Sequence, residues 1–191
     1  MIDCRLLDLA RELSAGSRFP LRELLAVLLG VFRSGYGRVY VSRKTGIPER
    51  RVRSIYEYIA GLKQAMPGLY VEVAEGFSEV KILAAQAGEY YATVFTPVSP
   101  SLLKAVESRI VELRDWIIVE AGDRGCIEVI GLSTGRPVFP RVPEELQDKY
   151  LEILPEEILV DNSLIVLWRK YTPILSESIV LSALASLCRE L

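Results

Sequence analysis

The chain of 191 residues contains no histidine, a single asparagine, three glutamines and three scattered cysteines. Without imidazole there is no Ser-His-Asp or Cys-His catalysis and no His-ligated metal. Cys4, Cys126 and Cys188 show no CxxC spacing, which excludes a zinc-finger framework. Free thiols are the expected state; an intracellular disulfide stays open for a thermophile, to which the scarcity of thermolabile amides points. No apolar run reaches the length of a membrane span, and the strongest, Leu24 to Phe32, is too short. The chain also lacks the βα alternation and glycine loop of a Rossmann unit and the GxxxxGK[ST] phosphate loop. Only carboxylate or Lys/Tyr chemistry is left, and no pair of acids stands out. The expectation is therefore no enzyme, no cofactor and no metal. The opening MIDCRLLDLARE lacks the basic-then-apolar plan of a signal peptide, so a cytoplasmic protein without membrane association is expected.

Half of the residues are hydrophobic, enough for one large or two small buried cores. The formal charge of -2 conceals an asymmetry. Residues 1–68 carry 12 Lys+Arg against 6 Asp+Glu, and residues 69–191 carry 11 against 19. A basic module facing nucleic acid and joined to an acidic one would have this split.

Arg38 to Tyr58 reads RVYVSRKTGIPERRVRSIYEY and fits a helix-turn-helix. Val41 and Ser42 supply an apolar and then a small residue on the first helix. Gly46 follows where the chain must turn, and Ile47 plugs the turn. Pro48 suits the start of a second helix, whose inward face is Val52, Ile55, Tyr56 and Ile59. Thr45 stands where an aliphatic residue is usual. The outward face carries Glu49, Arg50, Arg53 and Ser54, with Arg51 beside them, where a recognition helix meets bases and phosphates. Arg can bridge guanine O6 and N7 with two hydrogen bonds, while Arg43 and Lys44 suit phosphate. The competing reading is a solvated helix face paired with Glu49 and Glu57.

Around this motif the periodicity predicts helices over 2–15 and 21–34 and a recognition helix running to Ala65. Leu69–Ala74 and Glu79–Ala84 read as two strands of an acidic wing around Glu75-Gly76, with Lys81 its lone cation. A second region starts at Gly88. It contains a strand over Tyr90–Thr96, a helix over Leu102–Ala121, and a hairpin over Cys126–Leu132 and Pro137–Phe139. A helix over Pro143–Leu154, a central strand over Leu164–Trp168 and a helix from Pro173 to Leu191 complete it. The order implies a mostly antiparallel sheet with helices on one face. Trp116 and Trp168 read as core. The last helix is apolar on more than one face, so it is either sandwiched or joins a second subunit, and the dimeric habit of helix-turn-helix proteins favours a homodimer.

The E-L-R-D of Glu112–Asp115, the V-F-P of Val138–Pro140, the Tyr150 helix, the Leu164–Trp168 strand and the final helix follow one order. With Val52-Arg53 after the Gly46 turn, that order resembles an uncharacterised archaeal family, number 4443 among the domains of unknown function. Its members pair an N-terminal winged helix with such a C-terminal domain and are held to be transcription regulators. The resemblance implies a winged helix-turn-helix over residues 1–87 and a two-layer α+β domain over 88–191, similar to the GAD-like domains of aminoacyl-tRNA enzymes. It also runs through Arg114 and Asp115, which are either part of an effector pocket or a structural ion pair. The expected function is a DNA-binding transcription regulator with duplex DNA as partner. The alternative is a protein-interaction or RNA-associated module in which the winged helix docks a partner.

Overall fold

A computed structural model describes residues 1–189. Among these residues the fold is α+β, with nine α-helices and one five-stranded antiparallel sheet. The first five helices are α1 (Cys4–Ser17), α2 (Leu21–Leu28), α3 (Arg38–Thr45), α4 (Glu49–Ala65) and α5 (Pro67–Ser78). The Asp3 side chain caps α1 by accepting from Leu6 N, and α2 ends in a π-helical turn over Leu29–Arg33.

The strand expected over Leu69–Ala74 is α5 instead. Leu69, Val71 and Val73 alternate like a strand, but Val73 and Phe77 bury one face at helical spacing. Pro67 at the first turn, with a φ suited to a helix, starts α5 rather than closing α4. The following strand, β1 (Lys81–Ala87), does not pair with residues 69–74. It forms a hairpin with β2 (Tyr90–Thr96) and becomes an edge of the sheet. The boundary expected between residues 87 and 88 falls at the turn of this hairpin.

The second half continues with α6 (Pro100–Ser108), α7 (Ile110–Ala121), β3 (Ile127–Ser133), β4 (Pro137–Val138), α8 (Glu144–Ile153), β5 (Ser163–Trp168) and α9 (Leu175–Cys188). The helix expected over Leu102–Ala121 is thus two, parted at Arg109. Ser108 Oγ donates to Ala105 O at 2.9 Å there, a local bond that competes with helical hydrogen bonding.

The sheet order is β1-β2-β5-β3-β4, so β5 is central as its apolar run predicts. Its alternation divides two cores. Leu164, Val166 and Trp168 join Phe95, Ile130 and the helices, whereas Ile165 and Leu167 join Val94, Tyr150 and Leu154. The two-layer expectation, with helices on one face, is therefore corrected: α8 covers the second face. Tyr150 of α8, with Phe139, Leu154 and Ile158 from the segments beside it, closes this second core despite the Glu-rich sequence of α8. Trp168 is core, and its Nε1 donates to Thr93 Oγ1 at 2.8 Å. Trp116 is not, being 38% exposed on the outward side of α7 with Val111 and Val119.

Helix α9 packs against α1, α2, α6 and α7. Its apolar residues are covered within the chain, which answers why more than one face is apolar. The expected final residues 190 and 191 lie outside the described residues. A Cys4–Cys188 disulfide, with Cα atoms 5.5 Å apart, ties α9 to the start of α1, correcting the expectation of free thiols. Cys126 remains free and buried. No described helix is long and apolar enough to cross a membrane.

The start of α9 has an unusual backbone. Ile174, buried and β-branched, sits at φ 68° and ψ -47° in a γ-turn closed by Leu175 N donating to Pro173 O. Such a turn costs about 1–3 kcal/mol, so its surroundings must hold it. Ser176 Oγ accepts from Thr172 N, and Glu177 accepts from the Tyr171 hydroxyl at 2.8 Å. The second Glu177 oxygen lies 3.0 Å from the Arg33 guanidinium, at the end of the π-helical turn. Burial and the Glu177 carboxylate push the Tyr171 hydroxyl pKa upward, keeping it a donor. Glu177→Ala would leave Arg33 without its counter-charge and is expected to cost about 3–5 kcal/mol, read from urea unfolding. Arg33→Met combined with Glu177→Gln, which still accepts from Tyr171, is expected to recover most of that loss. If the double variant is as unstable as the single, the ion pair is not the cause.

Candidate nucleic-acid interface

Helices α3 and α4 form a helix-turn-helix whose geometry rests on a few hydrogen bonds. Gly46 ends α3 at φ 72°, a left-handed conformation that favours glycine, and its N–H donates to Ser42 O at 2.9 Å. Ser42 Oγ donates to Ile47 O at 2.7 Å, and Ile47 plugs the turn in a buried position. Thr45 is buried, yet polar for a reason. Its hydroxyl donates to Val41 O at 2.7 Å and accepts from Ile47 N at 3.2 Å, so the tight turn leaves neither group unmet. An aliphatic residue would fill the space but abandon the Ile47 N–H. Val52, Ile55, Ile59 and Leu62 then bury one side of α4.

The first helix of the motif is seated as closely as backbone allows. A Cβ placed on Gly30, in the π-helical turn after α2, would meet Val41 Cγ2 at 2.5 Å. Glycine at this position lets α3 lie directly on that turn.

The predicted interface residues divide into two groups. Arg43, Lys44, Arg50 and Arg53 are exposed, and among the described residues none has a carboxylate at ion-pair distance. Arg50, Arg53 and Ser54 share the outward face of α4 with Glu57, at helical spacing. Arg51 turns toward α2, where its Nε lies 3.7 Å from Glu23 Oε2, and Glu49 lies 3.6 Å from Arg38 Nε. Glu49 is therefore engaged within the motif, and Arg51 with the neighbouring α2. Ser54 Oγ donates to Arg50 O, a local helix bond. On its inner side, the turn borders a cleft of about 360 Å³ lined also by Ala121, Leu175 and Ile179.

Two residues escape the motif reading. Tyr36 and Tyr40 are each about two-fifths exposed, their ring centroids 4.3 Å apart, and Lys44 Nζ lies 5.4 Å from the Tyr40 ring centre. The Tyr56 hydroxyl donates to Tyr36 O and ties this loop to α4. The YGRVY spelling signals a tyrosine pair, and the loop before α3 together with the first turn of α3 turns both rings outward on the basic surface.

Arg114 and Asp115 lie on the exposed side of α7 and do not pair with each other, because successive helical residues point about 100° apart. Arg114 instead lines a cleft with residues of β3 and of the 140–142 loop.

No family model matches the chain, and no curated protein matches it. Its fold is similar to that of hypothetical protein PH0730 from Pyrococcus horikoshii OT3, at 16% sequence identity and a TM-score of 0.56, covering 90% of this chain and 94% of that one. That likeness concerns the fold.

Gly30→Ala is expected to lower stability by about 1–3 kcal/mol through its collision with Val41. Val41→Ala should cost about 2 kcal/mol through its cavity, and the double variant should cost less than the sum. Strict additivity in denaturant unfolding would mean that the two sites do not meet.

Proposed function

We propose that this protein is a DNA-binding transcription regulator that inserts α4 into the major groove of duplex DNA. The observation that carries the reading is the joint exposure of Arg43, Lys44, Arg50 and Arg53 around a rigid turn, without carboxylates paired to them. Arg50 and Arg53 stand in the N-terminal turns of α4, from which a recognition helix reaches base edges and phosphates, while Arg43 and Lys44 flank them as phosphate contacts. In this reading α4 works without a wing, since the segment expected to start one is α5. The resemblance to the archaeal winged-helix family, carried by short motifs, points to the same function. A homodimer on a palindromic site fits the symmetry such regulators use.

A second reading draws on Tyr36 and Tyr40. Exposed aromatic rings beside cations suit the unstacked bases of single strands or RNA loops, which makes an RNA-associated module the alternative.

Selection of genomic duplex fragments at two salt concentrations, with competition by structured RNA, tests both. Neutralising about four phosphates gives a slope of log affinity against log salt near -4. Arg50→Ala with Arg53→Ala is expected to weaken duplex binding by roughly 10- to 100-fold and to reduce that slope by about 2 if both meet phosphates. Duplex binding that is absent at low salt, or indifferent to both substitutions, overturns the regulator. Preference for RNA that Tyr36→Ala and Tyr40→Ala abolish would install the alternative, and sedimentation equilibrium decides the dimer.

A further inference from the structure

The cleft that contains Arg114 has the features of a built site. It occupies about 290 Å³ between α7, β3 and the 139–142 turn, with walls of Ile110, Val129, Ile130 and Val142. That volume is at the small end of ligand pockets, right for a compact organic molecule.

Its charge is one-sided. Arg114 and Arg141 both line it, and neither has an ion-pair or hydrogen-bond partner among the described residues. The one carboxylate in the wall, Glu128, is already committed. The Tyr150 hydroxyl donates to one of its oxygens at 2.6 Å, and Arg169 Nε donates to the other at 2.6 Å. Two arginines without an ion-pair partner among the described residues therefore line a cavity whose carboxylate is already bonded to Tyr150 and Arg169.

The turn that presents Arg141 is held for the purpose. Val142 N donates to Phe139 O, and Pro140 and Arg141 occupy the two central positions, with Arg141 at φ 66°. A turn of this shape ordinarily takes Gly or Asn at that second position, so arginine there carries backbone strain. Gln147 of α8 clasps both ends: Phe139 N donates to its Oε1, and its Nε2 donates to Val142 O. Phe139 is fully buried beneath. The side of β3 facing the cleft is also open, since β4 pairs only with Leu132 and Ser133 and leaves Glu128 to Ile130 without a strand neighbour there.

We propose that this cleft binds a small organic carboxylate with a compact apolar body, its carboxylate held between Arg114 and Arg141 and its body against Ile110, Ile130 and Val142. Arginine pairs recognise planar carboxylates through parallel hydrogen bonds, and the apolar walls select against a bare inorganic anion. The site is separate from the α3–α4 surface, and ligand binding is readable whether or not the protein binds nucleic acid.

Benzoate is the probe, titrated into the full chain and followed by the methyl resonances of Ile110, Val129 and Val142, with benzyl alcohol and inorganic phosphate as comparisons. Saturable shifts with benzoate at millimolar affinity are expected, about tenfold weaker in Arg114→Gln and in Arg141→Gln, and unchanged in Arg124→Gln. Both substitutions sit on the surface, and unchanged spectra elsewhere will report an intact fold. Benzyl alcohol binding as tightly as benzoate removes the arginines' role. Phosphate competing as well as benzoate removes the apolar body, and methyls unmoved at about 20 mM benzoate overturn the site altogether.

Discussion

A helix buried along nearly its whole circumference must be covered by protein on several sides, and α9 is such a helix. Ile179, Val180, Leu181, Leu184 and Leu187 are all buried along it. At about 2 kcal/mol each, these five side chains rival the whole net stability of an ordinary domain. Elements from the basic half and from the sheet-bearing half must therefore both cover it. This makes α9 the joint of the molecule, locked at its end by the Cys4–Cys188 disulfide and at its start by Glu177. Closing a loop of 184 residues by a disulfide restricts the unfolded chain enough to be worth up to about 5 kcal/mol in the chain-entropy account. Apolar burial supplies the attraction, while the disulfide and the charge pair fix register.

The helix-turn-helix inherits its rigidity from this joint. Helix α2 packs on α9, its π-helical turn carries both Arg33 and Gly30, and Gly30 receives Val41 of α3. One irregular turn thus connects the buried ion pair to the seat of the motif. A π-turn adds a residue to the helical repeat and shifts the faces that follow. Here that places Arg33 toward Glu177 and glycine toward α3. The turn from α3 to α4 is then fixed locally by Ser42, Thr45 and Gly46, whose hydrogen bonds need no distant partner.

Much of this was legible in the sequence because local chemistry dictated it. Gly46, Ile47 and Pro48 specify the turn, and the spacing of Val52, Ile55 and Ile59 specifies α4. The central place of β5 follows from six residues with nowhere to meet water. What escaped reading depended on partners far along the chain. Leu69 to Val73 satisfies both a period of two and a period near four, and only burial of Val73 and Phe77 decides for helix. The covering of the second sheet face rests on Phe139, Tyr150, Leu154 and Ile158, scattered through an otherwise acidic segment. Cys4 and Cys188 are separated by nearly the full chain, so no spacing rule could pair them. Trp116 looked like core by its chemistry, but its angular position on α7 sends it outward. Arg51 looked equivalent to Arg50 and Arg53, and one helical step of rotation delivers it to Glu23 instead.

The net charge of -2 does not weigh against a polyanionic partner, because charge acts over short range in salt water. At physiological ionic strength the screening length is about 8 Å, so a carboxylate across the molecule is nearly invisible to a phosphate on α4. What a phosphate meets is the local set: Arg43, Lys44, Arg50 and Arg53, offset by Glu57 on the same face. Glu49 and Arg51 contribute little either way, each being partly neutralised by an opposite charge, Arg38 of α3 and Glu23 of α2. Duplex DNA would use such a set through the helix alone, with the tyrosines left at the margin. A single strand would use the same cations and also stack on Tyr36 and Tyr40, adding roughly 1–3 kcal/mol per base that a duplex cannot claim. On the proposed reading, the choice between duplex and single strand therefore turns on whether those two rings contribute to affinity.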